Sequence, residues 1–414
     1  MKNTYKIIAL ACILIMAVTS FTSCAGYITK DELEDLLEQR VDGAPVEEGD
    51  NYQVNINSSG AGNILPASIS LLSAVSVYSN FEMSYTNSYL PGTRQYSSAG
   101  SGVIYKLDKR AGDAYILTNH HVVYDYRAAT ENHVSDDITV YLYGMEATGY
   151  GIPATYVGGS MVYDLAVLKI DGSRVLAQSS AVEAKLADSD KVSVLETAIA
   201  VGNAEGKGIS ITVGYVNVES EYLTMIAADN STEIQMRVMR IDAAVNSGNS
   251  GGGLFNERGE LIGIVNAKMA KSTIDNIGYA IPSNIAKYIA ENIIYYCDGK
   301  ENESVYRCLI GITVGASDYY TKYNTETGAV SKYETVVVES ITKGGIADGR
   351  LQQNDVIKSI TIDGVTYKVR RMYNVVDSML NARVGSQVSV VVERDGTTLT
   401  VELPITEDSL TKSK

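Results

Sequence analysis

From about Ser68 to Ile281, short apolar runs alternate with turns rich in Gly, Asp and Asn. Gly102-Val103-Ile104-Tyr105, Ala114-Tyr115-Ile116-Leu117 and Ile138-Thr139-Val140-Tyr141-Leu142 are examples. Many short strands at such spacing predict a sandwich or barrels. The period then changes. Ile285, Ile289 and Ile293 fall on one helical face with Tyr288 and Tyr296 beside them, and Ser283 after Pro282 is placed to N-cap that helix. The helix ends near Cys297-Asp298-Gly299, and polar Lys300 to Ser304 marks a boundary. Residues 305–407 return to strands, such as Val336-Val337-Val338 and Val388-Ser389-Val390-Val391-Val392, with a helix near Val375 to Leu380 and a hairpin turn at Asp395-Gly396. The tyrosine-rich stretch from Ser317 to Tyr333 has no evident reason in the pattern.

The start of the chain reads differently. Lys2 and Lys6 precede an uninterrupted apolar run from Ile7 to Val18, followed by Thr19-Ser20-Phe21-Thr22-Ser23-Cys24. The run is too short to span a bilayer comfortably and has the layout of an export signal. Small residues before Cys24 resemble a bacterial lipobox, in which the cysteine is acylated and becomes the mature N-terminus; Phe21 departs from the leucine usual there. Ordinary cleavage near Ala25, with Cys24 lost, is the alternative. Residues 1–23 are thus a lipoprotein signal peptide and 24–66 a lipidated tether, in which Asp31 to Val41 can form a short amphipathic helix.

With 414 residues, 45% hydrophobic and 20% charged, the chain suits two or three globular domains. Trp is absent and Phe scarce, so the 29 tyrosines supply nearly all aromatic packing. A formal charge of −15, made more negative by loss of Lys2 and Lys6, disfavours nucleic acid and anionic headgroups. The one local basic cluster, Lys368, Arg370 and Arg371, reads as a solvated face. Outside the cytoplasm Cys297 and Cys308 can form a disulfide across the domain junction or remain separate buried thiols.

Candidate chemistry comes from three places. Only His120, His121 and His133 can serve as an imidazole base, and the first two directly follow a predicted strand. Asp164 opens the apolar strand Leu165 to Ile170, where an acid can be partly buried against an imidazole N–H, although alone it reads as a turn residue. Ser250 lies in Asn246-Ser247-Gly248-Asn249-Ser250-Gly251-Gly252-Gly253, where glycines let backbone amides converge on one point. Gly248, Asn249 and Ser250 are the candidate oxyanion hole, formed by the Gly248 and Ser250 amides. Base, carboxylate and hydroxyl together can make a serine nucleophilic at neutral pH. The run from Gly202 to Gly208 lacks the P-loop spacing and reads as a plain loop.

Thr118-Asn119-His120-His121-Val122, Asp164-Leu165-Ala166-Val167-Leu168-Lys169, Gly248-Asn249-Ser250-Gly251-Gly252 and Gly278-Tyr279-Ala280-Ile281-Pro282 resemble, in order, the HtrA/Deg family of chymotrypsin-fold serine proteases. The resemblance covers roughly residues 68–407. It implies a mainly β fold, a chymotrypsin-like double β-barrel (67–298) followed by an α+β PDZ domain (305–408). It selects His121 over His120 as base, with Asp164 as acid and Ser250 as nucleophile, and implies no cofactor. Ser247 stands where the family often has proline, and Gly253 replaces the proline usual after Ser-Gly-Gly; both are expected to loosen the nucleophile turn. Asn249, not aspartate, precedes the nucleophile, so no trypsin-type zymogen switch is expected. Ala244, six residues before Ser250, predicts a small apolar subsite, with Lys268 and Met269 near its wall.

Leu309-Ile310-Gly311-Ile312 resembles the carboxylate-binding loop of a PDZ domain, and Asn354-Asp355-Val356-Ile357 the family's Gly-Asp-x-Ile strand with Asn354 for glycine. A peptide C-terminus would add a strand beside Ile310 to Thr313. The family implies cleavage of misfolded or exported proteins in the cell envelope and a homotrimer. The rival reading is a non-catalytic chaperone that only holds unfolded segments, against which the complete triad counts.

Overall fold

The computed structural model describes residues 62–413 apart from 88–89, 147, 269–276, 297–304 and 327. Cys24, the tether, Met269 and Cys297 lie outside these residues. Cys308 is buried and has no disulfide partner among the described residues.

Among the described residues twelve strands close into two barrels. The first contains β1 (Ala74–Asn87), β2 (Leu90–Asp108), β3 (Asp113–Thr118), β4 (Asp137–Leu142), β5 (Ile152–Ser160) and β6 (Leu165–Ile170), in the order β1-β2-β3-β6-β5-β4. The second contains β7 (Thr197–Gly202), β8 (Ser210–Ile226), β9 (Glu233–Ile241), β10 (Gly253–Phe255), β11 (Leu261–Val265) and β12 (Gly278–Pro282), in the order β10-β11-β12-β9-β8-β7. Closure removes the free edges that an open sheet would expose.

Strand β6 shows how pattern becomes packing. Successive side chains on a strand point to opposite faces. Ala166, Leu168 and Ile170 fill the first barrel, while Leu165 and Val167 enter a core shared with Phe255, Ile264 and Ile289. Both faces are buried, so the strand is apolar at nearly every position. Each fully buried side chain of this kind contributes about 1.5–3 kcal/mol. The seam between the barrels therefore sits directly behind Asp164.

Short helix α1 (His120–Val123) follows β3, and the long helix α2 (Ser283–Tyr296) buries Ile285, Ile289 and Ile293 as the periodicity predicts. Ser283 does not act as the expected cap. Its hydroxyl donates to the Ala187 carbonyl at 2.8 Å, and the Asn284 amide is met by the Ser189 hydroxyl at 3.0 Å. The helix start is buried, so a neighbouring loop supplies the acceptor.

The C-terminal unit has β13 (Val305–Cys308), β14 (Ile312–Tyr323), β15 (Val330–Ile341), β16 (Val356–Ile362), β17 (Val365–Lys368), β18 (Gln387–Arg394), β19 (Thr397–Pro404) and β20 (Leu410–Ser413). Its main sheet runs β14-β15-β16-β18-β19 with β17 on β16, and β13 pairs with β20. That last pairing carries the unit past the expected end at 408. Helix α3 (Met372–Ser378) and a short turn at Met379–Asn381 start three residues earlier than the sequence suggests.

Charged groups join this unit to the second barrel. Arg237 on β9 is buried, lies 3.0 Å from Asp377 and 3.4 Å from Asp190, and stacks 3.8 Å above the Tyr373 ring. Asn374 Nδ2 donates to Asp190 at 2.9 Å. Arg371, expected on a solvated face, pairs instead with Glu334 at 2.9 Å and Glu219 at 3.5 Å. Burial pushes the Asp377 carboxyl up to about 6 against the pull of Arg237. Arg237→Ala strands this carboxylate and is expected to cost about 3–5 kcal/mol, whereas Arg237→Met with Asp377→Leu recovers most of the loss. Urea unfolding of the three proteins checks this; equal destabilisation by the single and double variants would refute it.

Candidate active site

Asp164 sits in a left-handed backbone conformation (φ 47°) between β5 and β6 and is 3% exposed. Its Oδ2 accepts the Nδ1–H of His121 at 2.7 Å and the Asn266 side-chain amide at 2.7 Å; its Oδ1 accepts the His121 backbone N–H at 3.0 Å. Asn119, just before α1, donates from its side chain to the Asp164 carbonyl at 2.7 Å. The histidine turn and the aspartate turn are thereby fastened to each other. Burial works against the Asp164 charge, but His121 and its two hydrogen bonds outweigh it and hold the carboxyl below the usual carboxylate range. With Asp164 ionised, Nδ1 of His121 is the donor to it, which leaves Nε2 as the ring nitrogen free of Asp164 on a residue that lines the cleft.

His120 points the other way. It is buried, stacks on Tyr124 with ring centroids 5.0 Å apart, and is lowered to about 4 by burial, so it stays neutral. Gly159 makes room for it, since a Cβ there would sit 2.6 Å from the ring Nδ1. His133 bonds the Ala128 carbonyl at 3.0 Å in its own loop.

Ser250 and His121 line one cleft of about 480 Å³, with Gly248, Ala267, Lys268 and Asn230. The Ser250 hydroxyl oxygen accepts the Ala267 amide at 3.2 Å. Of the three candidate oxyanion amides, that of Asn249 is spent on the Asn246 carbonyl at 3.0 Å, so the turn itself removes it from the hole. Among the described residues no acceptor is bonded to the Gly248 and Ser250 amides. Lys268 reaches the Ala227 carbonyl at 2.9 Å. Ala244 is exposed and is not among the residues lining this cleft.

The glycine-rich turn around Ser250 is braced rather than loose. Ser101 donates its N–H to the Ser250 carbonyl at 2.8 Å and its hydroxyl to the Gly248 carbonyl at 2.6 Å, and accepts the Asn203 amide at 2.7 Å. The Glu205 amide holds the Ser247 carbonyl at 2.7 Å. Gly253 is buried in β10, where a Cβ would lie 2.2 Å from the Phe255 ring, so the space is filled. The Gly202 to Gly208 loop thus buttresses the turn. Asn266, Ser101 and Asn203 escaped the sequence reading because a single loop Asn or Ser carries no pattern.

In the C-terminal unit the Leu309 amide is taken by the Ser409 carbonyl at 2.8 Å. The carbonyls of Ile310 and Gly311 accept from Ala347 and Thr342 at 3.0 and 2.8 Å. These bonds fix the loop, and among the described residues no acceptor is bonded to the Ile310 and Gly311 amides.

The trypsin-like peptidase domain family matches residues 100–264, and the PDZ domain family residues 309–405. The chain is 30% identical over 378 residues to Serine protease Do-like HtrA of Lactococcus lactis subsp. cremoris (strain MG1363), covering 87% of this chain and 85% of that protein. The chain belongs to the HtrA family of serine proteases. It is also 32% identical over 313 residues to Serine endoprotease DegS of Escherichia coli (strain K12), covering 74% of this chain and 76% of that one. Among solved structures, HtrA-type protease AlgW with tripeptide aligns with a TM-score of 0.50 at 25% identity, over 85% of this chain and 98% of that one.

For this HtrA protease, Gly248, like Gly251, is a position that a side chain would strain. Its φ is +94°, and a Cβ would lie 2.2 Å from the Asn203 carbonyl oxygen. Gly248→Ala must move the turn or the loop behind it and shift the Gly248 amide, a candidate for the oxyanion hole. The expected result is a kcat about 10²–10³-fold lower with KM little changed. Steady-state kinetics on a peptide substrate test this; an unchanged kcat would count against the assignment of the hole.

Proposed function

We propose that Ser250, His121 and Asp164 form the catalytic triad of an envelope endopeptidase whose PDZ domain receives peptide C-termini. The observation that carries the triad is the 2.7 Å bond from His121 Nδ1 to Asp164, beside a cleft that also contains Ser250. In the reaction, Ser250 Oγ rotates away from the Ala267 amide and attacks the peptide carbonyl carbon. His121 Nε2 takes the hydroxyl proton, and Asp164 balances the imidazolium. The carbonyl oxygen becomes an oxyanion between the Gly248 and Ser250 amides. His121 then gives its proton to the departing amine, leaving Ser250 acylated. Water, deprotonated by the same imidazole, releases the acid and restores the serine.

The free amides of Ile310 and Gly311 are suited to a terminal carboxylate, and Ile312 begins the edge strand on which a peptide would lie. Substrates in this reading are misfolded or exported proteins, the working unit is a homotrimer, and Cys24 carries the lipid anchor after removal of residues 1–23. Nothing in the triad requires a cofactor.

One experiment tests these parts together. Membranes from cells expressing the full chain are treated with a fluorophosphonate, which loses fluoride as Ser250 Oγ bonds to phosphorus. A labelled band is expected in the membrane fraction, at three times the protomer mass after crosslinking. Radiolabelled palmitate is expected to enter the same band and to be lost with Cys24→Ala, and Ser250→Ala abolishes the fluorophosphonate label. Labelling by the fluorophosphonate that survives Ser250→Ala would sink the triad, and palmitate incorporation that survives Cys24→Ala would sink the anchor.

A further inference from the structure

We infer that the hairpin formed by the outer halves of β14 and β15 is a second peptide-binding segment, which holds the upstream part of the same polypeptide tail whose C-terminus enters the PDZ loop. This rests on the PDZ reading above and extends it.

The tyrosine-rich stretch turns out to be an arm. β14 and β15 pair along their whole length, from Ile312↔Ile341 to Tyr323↔Val330. β15 is in ladder register with its other neighbour only at Val337↔Val356, and its Glu334 amide donates to the Arg370 carbonyl at 2.8 Å, so the hairpin beyond Glu334 projects past the sheet. β14 is an edge strand in the sheet order. A long exposed edge is a ready template for another extended chain. The arm's edge is only partly protected: it has no proline, and the outer half of β14 carries Asp318 and Lys322 beside a bulge at Ala316/Asp318.

The arm presents exposed tyrosines among its polar residues. Tyr319 and Tyr323 are 67% and 66% exposed, and Val330 is 58% exposed. On the opposite face Tyr320 stacks on Tyr333, with centroids 5.4 Å apart, and Lys322 lies over both rings. Exposed apolar surface of this kind marks an interaction site.

The arm is also held in line with the PDZ groove. Glu334 at its base accepts from Arg371 at 2.9 Å and from the Met372 amide at 2.7 Å, so it is tied to the first turn of α3. Lys332 pairs with Glu219 of the second barrel at 3.2 Å.

Geometry selects the occupant. A peptide whose carboxylate meets the Ile310 and Gly311 amides lies antiparallel to β14, so its upstream residues run toward Tyr323. At about 3.4 Å per residue, the twelve residues of β14 match about twelve residues of peptide. The inner part of β14 takes the last four or so. The bulge between Ala316 and Asp318 then re-aims the strand, and the outer part takes the rest. The chemistry fitted is an unfolded, β-prone tail with aromatic or aliphatic side chains at alternate positions, able to pack against Tyr319 and Tyr323.

The test compares two fluorescent peptides with the same last four residues, a tetrapeptide and a dodecapeptide of alternating Val and Thr upstream, on the Ser250→Ala protein. The dodecapeptide is expected to bind about 10- to 100-fold more tightly. Tyr319→Ser with Tyr323→Ser is expected to remove most of that advantage while leaving tetrapeptide affinity unchanged. Equal affinity for the two lengths, or an advantage untouched by the double substitution, overturns the proposal. So does a change in oligomeric state on substitution without any change in length dependence, which would make the arm a contact between copies of the chain. Amidating the C-terminus separates the two readings: if it leaves tetrapeptide binding intact, the PDZ reading fails whatever the arm does.

Discussion

Ser250→Ala is expected to lower kcat by on the order of 10⁶-fold while the affinity for a non-hydrolysed peptide stays close to that of the native protein. The expectation follows from the proposed role of Ser250 as nucleophile, and it separates Ser250 from Ser98, Ser247 and Lys268, which also line the cleft. The cleft contains His121, but its Nδ1 is committed to Asp164 at 2.7 Å, and its Nε2 is a base rather than an attacking group. The Ser250 hydroxyl makes one bond, to the Ala267 amide at 3.2 Å, and the turn around it is held by carbonyls and amides of the main chain. Alanine removes the hydroxyl and leaves those bonds in place, so the fold and the cleft survive. Residual hydrolysis would come from the oxyanion amides and substrate positioning alone. The measurement is single-turnover hydrolysis beside a binding isotherm. A loss of less than about a hundredfold would identify another residue as the nucleophile.

Asp164→Asn is expected to cost about 10⁴-fold in kcat. The carboxylate accepts three hydrogen bonds, from the His121 ring, the His121 amide and the Asn266 side chain. An asparagine in its place has one acceptor oxygen. If that oxygen serves the His121 amide, its NH₂ faces the ring and forces the proton onto Nε2, which can no longer accept from Ser250. It also meets the Asn266 NH₂, donor against donor. The stability consequence has a definite sign. The Asp164 carboxyl is held below its ordinary value of 3.8, so its contribution is present above that value and lost as pH falls through the folded value. Asp164→Asn therefore lowers stability at neutral pH and flattens the acid limb of the melting curve. Thermal melts across the acid range check the second point, and an acid limb as steep as in the native chain would contradict it.

The strand pattern and the chemistry were legible in the chain for different reasons. Alternation of apolar runs with turns reports burial directly, which is why the expected strands around Ile104, Ile116 and Val140 lie in β2, β3 and β4. His121, Asp164 and Ser250 stand in motifs whose glycines and apolar neighbours are unusual enough to notice. Their supports are not. Asn119 and Asn266 each act through one side-chain hydrogen bond to main chain or carboxylate, and Ser101 through several from within β2; a lone polar residue looks the same whether it meets water or a buried partner. Arg237 and Asp377 belong to different domains, and nothing local to either announces the other. The tyrosine-rich stretch was opaque because its rings do not fill a core.

One consequence lies outside the cleft. The loop from Ala204 to Lys207 faces solvent, yet Glu205 and its neighbour Asn203 hold the nucleophile turn through backbone atoms. Glu205 and Gly206 sit at positive φ (56° and 69°), so it is the side chains of Ala204 and Lys207 that are free to vary while the grip persists. Small changes in the shape of this loop offer a rheostat for turnover, and a library confined to those two positions is a direct route to faster and slower forms of one protease.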